Sequence, residues 1–225
     1  MLNKFLGQVG FLRHGESGYT NVYPDLTPEG IKTIKKSALL IPFFNGNRNI
    51  EIFSSPKTRA IGSVDIITKM LSIKQRYQIA PALSAVEIKD EEKAKKLFAE
   101  VSQGGGSALS IAYNTDPRFE DGIILESRSE VKKRFFSFFS DLTKWFAVNM
   151  SWPLSVIAVS HYEVLYHFVE GAFKLDYEKD APLGYGEIIM INIYESKARN
   201  TVIIEIVFRG KKTEMFFNYR KGKIV

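Results

Sequence analysis

The sequence contains no cysteine and only three histidines among its 225 residues. Without cysteine there is no disulfide bond and no thiolate metal site, and such a chain suits a reducing compartment. No uninterrupted apolar run approaches the length of a membrane-spanning helix, and no long apolar core precedes the first predicted strand. We therefore expect a cytoplasmic protein that has no signal peptide and no membrane partner.

The composition that is present is that of a globular protein. Hydrophobic residues make up 45% and charged residues 25% of the chain, whose formal net charge is +6. The positive charge favours anionic partners, but it does not choose among phosphorylated metabolites, nucleic acid and acidic lipid. Lysine and arginine are scattered, and no recognised nucleic-acid motif accompanies them, so nucleic-acid binding is not expected.

Strand and helix patterns alternate along the first seventy residues. Residues 9–12 and 50–53 read as buried strands, and residues 28–40 and 57–71 read as helices, the first capped by Thr27 before Pro28. Residues 78–83 predict a short third strand. A further strand at 154–159 precedes a helix at 162–173, and residues 187–194 and 201–208 are rich in strand-forming residues. This alternation predicts an α/β fold with a mostly parallel central sheet and helices on both faces, a three-layer sandwich.

We expect one domain over residues 1–225, with a small cap-like insertion at about 87–125. This segment is less regular than its surroundings and contains a glycine triplet at 104–106, which we interpret as a hinge. A long helix at 127–148 follows it, and the phenylalanines of that helix recur near helical spacing, which favours core packing.

Chemistry-bearing residues stand directly after the first strand, as Arg13-His14-Gly15. Ligand sites of open α/β sheets lie outside the carboxyl ends of the strands, so this tripeptide lies where chemistry is usually done. A guanidinium binds anionic oxygens in a fork and a neutral imidazole can attack phosphorus, so the pair suits a phosphoryl group.

Three further stretches follow in order along the chain. They are Leu26-Thr27-Pro28-Glu29-Gly30, Ser54-Ser55-Pro56-Lys57-Thr58-Arg59-Ala60 and Val159-Ser160-His161. With these motifs the chain resembles the histidine phosphatase superfamily, the phosphoglycerate-mutase-like proteins, from about residue 9 to about residue 193. The resemblance implies that His14 is a nucleophile that forms a phosphohistidine. It also implies that Arg13 and Arg59 hold the phosphoryl oxygens and that His161 completes the pocket.

The sequence departs from the family pattern at three places. An asparagine that often follows the nucleophile by six residues is replaced by Thr20, with Asn21 one residue later, so either residue or neither could bind phosphate. The second histidine is followed by Tyr162 instead of glycine, and this larger neighbour could narrow the substrate pocket. The proton donor is the third departure, because Glu87 lacks the usual surrounding pattern.

Glu87 is our choice of general acid, and Asp90, Glu91 and Glu92 compete with it. Glu126 is interpreted as an anchor of the long helix. No acidic or imidazole cluster stands at a familiar zinc spacing, so we expect neither a metal nor a cofactor.

The function predicted from the sequence is the hydrolysis of phosphomonoesters through a phosphohistidine. The substrate would be a small phosphorylated molecule or a phosphoprotein, and the sequence leaves the oligomeric state open, a homodimer included. Two alternatives stay open: a phosphoglycerate-mutase-type phosphotransfer, and a catalytically weak member of the family that only binds phosphorylated ligands.

Overall fold

The computed structural model describes residues 4–20, 22–45, 50–103, 108–148, 154–175 and 182–225. Its strands are β1 (Phe5–Arg13), β2 (Ile50–Ser54), β3 (Gln78–Ile79), β4 (Leu154–Ser160), β5 (Ile188–Glu195), β6 (Thr201–Phe208), β7 (Lys211–Asn218) and β8 (Lys223–Ile224). Its helices are α1 (Pro28–Asn45), α2 (Thr58–Met70), α3 (Glu91–Ser102), α4 (Ala108–Thr115), α5 (Arg128–Val148) and α6 (Tyr162–Phe173).

The strands form a single eight-stranded sheet in the order β3-β2-β4-β1-β5-β6-β7-β8. The pairs β3–β2, β2–β4 and β4–β1 are parallel, and the pairs from β1–β5 onward are antiparallel. The expected α/β fold is confirmed, and the structure adds that the sheet is mixed, with a parallel half and an antiparallel half. The carboxyl ends of β1, β2 and β4 therefore lie side by side at one edge.

Helices cover both faces of this sheet, and each face has its own apolar core. The core under α1 and α2 includes the side chains of Leu12, Ile34, Val64, Ile67 and Val159. The core under α5 and α6 is built from phenylalanines, among them Phe11, Phe135, Phe139, Phe168 and Phe217. The interpretation of the α5 phenylalanines as core residues is confirmed.

The start of α1 shows how local sequence positions a helix against the site. The backbone N–H of Gly30 donates to Thr27 Oγ1 at 3.0 Å, so Thr27 caps the helix as predicted. The Thr27 hydroxyl in turn donates to Glu16 Oε2 at 2.8 Å. This second bond ties the helix cap to the loop that follows His14.

The described residues of the segment at 87–125 pack onto the phenylalanine-rich core. Ala94, Leu97, Tyr113, Phe119 and Leu125 are buried in the phenylalanine-rich core. The predicted hinge at 104–106 lies outside the described residues, and the cap-like role of the segment stays a prediction.

Strand β3 and the lengths of the helices bear on two further predictions. The strand predicted at 78–83 is shorter, because a 3-10 turn, Pro81–Leu83, begins directly after the Ala80 N–H has donated to the carbonyl of Ser54 at 2.8 Å. In the described parts of the chain, no helix combines the length and the apolar character needed to cross a membrane.

Candidate active site

Three strand ends bring the two motif histidines together. The backbone N–H of His14 donates to the carbonyl of Ser160 at 3.0 Å, and that of Ser55 donates to the carbonyl of Val159 at 3.0 Å. These bonds continue the parallel ladder one residue beyond the strands, so the residues after β1, β2 and β4 lie next to one another. The rings of His14 and His161, 147 positions apart in the chain, consequently have centroids only 4.8 Å apart.

His14 is a buried, neutral imidazole whose unprotonated nitrogen faces the Arg59 guanidinium. Its side chain is 2% exposed, and Nδ1–H donates to the carbonyl of Gly15 at 2.6 Å. A carbonyl can only accept, so Nε2 carries the lone pair, and it accepts from Arg59 Nε at 3.2 Å. Burial, the charge of Arg59 and the charge of Arg13 lower the pKa of His14 from 6.5 to about 3, although the Gly15 bond opposes them. At neutral pH the Nε2 nitrogen therefore carries a lone pair beside the Arg59 guanidinium.

His161 begins α6 and is 1% exposed. Its Nε2 lies 2.7 Å from Ser55 Oγ, which also accepts the backbone N–H of Lys57 at 3.2 Å. Because Oγ accepts this bond with a lone pair, its own proton can be donated to His161 Nε2. Nε2 is then an acceptor, so we assign the proton of the neutral ring to Nδ1. Nδ1 has no partner among the described residues. Burial first, and then the charges of His14 and Arg59, hold the pKa of His161 well below 6.5. The ring thus presents a buried N–H for which no described residue is an acceptor.

Arg13 and Arg59 give the site an uncompensated positive charge. Arg13 Nη1 donates to the carbonyl of Leu183, and Arg13 Nε has no partner among the described residues. Arg59 is 9% exposed and lies in the first turn of α2. Among the described residues, neither guanidinium forms an ion pair with a carboxylate. Two such cations beside a helix N-terminus are suited to a multiply charged anion such as phosphate.

Glycines hold the loop after β1 close to α1. A Cβ added at Gly30 would lie 2.1 Å from the carbonyl oxygen of Glu16, and one added at Gly15 would lie 2.7 Å from the carbonyl oxygen of Gly30. The N–H of Gly15 also donates to Ser63 Oγ at 3.1 Å. No side chain fits at either glycine without moving backbone, so this close approach fixes where His14 stands.

Thr20 and Asn21, in the loop after His14, are the two residues predicted to contact phosphate. Thr20 is exposed, and both its N–H and its hydroxyl donate to Asp25 Oδ1, at 2.8 Å and 2.9 Å. Its side chain is therefore hydrogen-bonded within the loop. Asn21 lies outside the described residues, and the roles of Thr20 and Asn21 stay predictions.

Tyr162, the residue after His161, lies beside Arg13. The Arg13 guanidinium carbon is 5.5 Å from the centroid of its ring, and its hydroxyl accepts from Asn114 Nδ2 at 2.9 Å. Asn114 belongs to α4, within the segment at 87–125. This segment therefore reaches the neighbourhood of the site through Tyr162.

Glu87 is exposed, and none of its described hydrogen bonds reaches the two histidines or the two arginines. Its backbone pairs with that of Glu126, whose N–H donates to the Glu87 carbonyl at 2.8 Å. Glu126 itself accepts Arg134 Nε of α5 at 2.7 Å, which confirms that it anchors the long helix. Asp90 caps α3 by accepting the Lys93 N–H at 3.0 Å. The assignment of Glu87 as the proton donor stays a prediction.

Three side chains at the site were not assigned from the sequence. Ser55 stands within a quoted motif, yet only the structure shows that it holds the His161 ring. Tyr19 and Tyr185 lie over the two arginines, with ring centroids 5.0 Å from Arg59 Cζ and 3.9 Å from Arg13 Cζ. The glycines on both sides of Tyr185 are the signal that could have drawn attention to it. The described residues contain no group of three or more His, Cys, Asp or Glu side chains that could hold a metal ion.

The fold and this site define a class of protein, an α/β protein with two histidines and two arginines at the carboxyl ends of its strands. The model of the histidine phosphatase superfamily (branch 1) matches residues 9–205. The chain belongs to the histidine phosphatase superfamily. No curated protein matches the sequence significantly.

Solved structures of phosphatases share the fold. The α-ribazole phosphatase from Shigella flexneri is 17% identical, with a TM-score of 0.57 over 84% of this chain and 91% of that one. A mycobacterial glucosyl-3-phosphoglycerate phosphatase is 15% identical, with a TM-score of 0.56 over 83% and 90%. A phosphoserine phosphatase from Entamoeba histolytica, in complex with 3-phosphoglyceric acid, is 21% identical, with a TM-score of 0.52 over 84% and 95%. At these identities the likeness shows a shared fold.

Proposed function

We propose that this protein is a phosphatase that hydrolyses phosphomonoesters through a phosphohistidine on His14. The observation that carries the proposal is the contact between the Nε2 lone pair of neutral His14 and the Arg59 guanidinium. This guanidinium has no carboxylate partner in the described parts of the chain. A phosphoryl group can therefore form an ion pair with it and lie beside the lone pair of His14.

In the first step, His14 Nε2 attacks phosphorus, so that an N–P bond forms while the P–O bond to the leaving group breaks. Arg13, Arg59 and the Nδ1–H of His161 bind the phosphoryl oxygens, where negative charge is concentrated in the transition state. The leaving alcohol takes a proton, for which Glu87 is the proposed donor. In the second step, water attacks phosphorus, the N–P bond breaks, and Glu87 accepts the proton that the water loses.

The family and the fold support hydrolysis, but they do not name a substrate. The three phosphatases compared above carry three different substrate names at 15–21% identity. We propose a small phosphorylated molecule or a phosphoprotein as the substrate class and no cofactor. A cytoplasmic location and a homodimer stay predictions from the sequence.

Replacing the nucleophile tests the proposal. His14→Ala should abolish the turnover of p-nitrophenyl phosphate, and a labelled substrate should leave an acid-labile, base-stable phosphoprotein in the parent only. His167→Gln is the matched control, because His167 lies on α6 and makes no described contact with the site. EDTA should not reduce activity, because no step of the proposal uses a metal. Full activity in His14→Ala, or loss in EDTA that a divalent ion restores, would contradict the mechanism.

The same labelled substrate separates the two alternatives. Transfer of the label to added phosphoglycerate instead of water would support a mutase-type reaction. Binding of phosphate without turnover of any ester would support a family member that only binds phosphorylated ligands. The exposure of Glu87, which has no described hydrogen bond to the histidines or arginines of the site, also favours this function.

A further inference from the structure

Two tyrosines from distant parts of the chain meet above the arginines, and we call them the tyrosine pair. Tyr19 lies in the loop between β1 and α1, and Tyr185 lies in the loop that precedes β5. Their hydroxyl oxygens are 3.2 Å apart. The Tyr185 ring centroid is 3.9 Å from Arg13 Cζ, and the Tyr19 ring centroid is 5.0 Å from Arg59 Cζ. Each ring thus lies against one phosphate-binding arginine.

One ring of the tyrosine pair lies close to the nucleophile, and the other is exposed to solvent. The Tyr185 ring centroid is 5.7 Å from that of the His14 ring. His14 and His161 are 2% and 1% exposed, whereas Tyr19 is 59% exposed. A substituent that extends from the buried histidines toward solvent can therefore contact the tyrosine pair.

The loop that carries Tyr185 is held by bonds to both of its neighbours. The N–H of Gly186 donates to the carbonyl of Arg13 at 2.9 Å, and Gly186 has a φ of 71°. On the other side of Tyr185, the N–H of Gly184 donates to Glu187 Oε2 at 2.6 Å. Because the loop is fixed on both sides of Tyr185, the ring is presented to the site in a defined position.

We propose that the tyrosine pair is a leaving-group subsite that selects phosphate esters of alcohols bearing an aromatic ring. The inference rests on the proposed function in that Arg13 and Arg59 are taken to hold the phosphoryl group. A substituent that contacts the tyrosine pair meets phenol rings, and an aromatic ring packs against them in offset or edge-to-face geometry. Such pairs favour an aromatic ring over a saturated ring of similar size by a factor of about 2–10.

The test is the binding of two non-hydrolysable probes, benzylphosphonate and cyclohexylmethylphosphonate, to the full chain by titration calorimetry. The probes carry the same anionic group and rings of similar size, and only the first ring is aromatic. The parent is expected to bind benzylphosphonate about five-fold more tightly. Tyr19→Leu and Tyr185→Leu should bind the two probes equally while still binding inorganic phosphate. Tyr19→Phe and Tyr185→Phe should keep the preference, because their rings remain.

Tyr23→Leu is the matched control. Tyr23 is 57% exposed in the same loop as Tyr19, but its hydroxyl donates to Asp65 Oδ2 at 2.6 Å, and it makes no described contact with Arg13 or Arg59. This variant should keep the preference of the parent. Equal affinities in the parent, binding of neither probe, or a preference that survives in both leucine variants of the pair would overturn the inference. Turnover plays no part in this measurement, so a preference without phosphatase activity would contradict only the proposed function.

Discussion

Acidification should unfold this protein partly because His14 is held neutral in the native state. Its native pKa is about 3, against 6.5 for the free side chain, and the cause is first burial and then the charges of Arg59 and Arg13. Between these two values the unfolded chain binds a proton that native His14 does not bind. The free energy of unfolding therefore falls as the pH drops below 6.5, and this contribution is fully restored above it.

The size of the effect follows from the two pKa values. One proton bound only by the unfolded chain changes the free energy of unfolding by about 1.4 kcal/mol per pH unit. From pH 7 to pH 5, His14 alone should remove about 2 kcal/mol. His161 acts in the same direction, because its pKa is also lowered by burial and by the charges around it. In His14→Gln, the loss between pH 7 and pH 5 should be smaller than in the parent by about 2 kcal/mol.

Urea unfolding followed by circular dichroism at the two pH values measures this difference. The buffer must be free of phosphate, because an anion bound between the arginines would stabilise the native state by mass action. An unchanged urea dependence of the unfolding free energy shows that the two pH values compare the same transition. A His14→Gln protein that loses as much stability as the parent would refute the argument that His14 is buried and neutral.

Substitutions at three further residues test the role proposed for each. Arg59→Ala should weaken inhibition by inorganic phosphate and lower turnover by roughly ten- to a hundred-fold, because one charge-assisted contact is worth about 1.5–3 kcal/mol; an unchanged inhibition constant would exclude phosphate contact. Ser55→Ala should lower kcat about ten-fold with little change in KM, because the hydroxyl holds His161 Nε2 at 2.7 Å. Ser55→Thr keeps the hydroxyl and should recover kcat. Equal activity of both variants would show that the Ser55 hydroxyl has no part in catalysis. Glu87→Gln should slow hydrolysis of an alkyl phosphate by about 10²–10⁴-fold and of p-nitrophenyl phosphate much less, because only the alkoxide needs a proton to leave. Asp90→Asn is its control, and a selective loss in that variant would move the proton donor to Asp90.

Much of the fold and part of the site follow from local patterns in the sequence. The strand ends at Arg13 and Ser160 are readable because an apolar run stops at polar residues, and the cap at Thr27 is readable because capping is a contact within one turn. The length of β3 was misjudged, because residues 78–83 suit a strand but Pro81 begins a 3-10 turn directly after the bond between Ala80 and Ser54.

What the sequence alone determined is the set of candidate site residues, since His14, Arg13, Arg59 and His161 each lie at a strand end or a helix start within a short local motif. The tertiary structure alone decided how these residues are paired and what surrounds them. The Tyr19–Tyr185 contact joins residues 166 positions apart, and the Ser55–His161 bond spans 106 positions. Such contacts depend on which strand ends the sheet order brings together and on how the loops between elements close over them. Neither the burial that keeps His14 neutral nor the partners of its ring can be read from residues next to it in the chain, because both are set by atoms that folding brings from elsewhere.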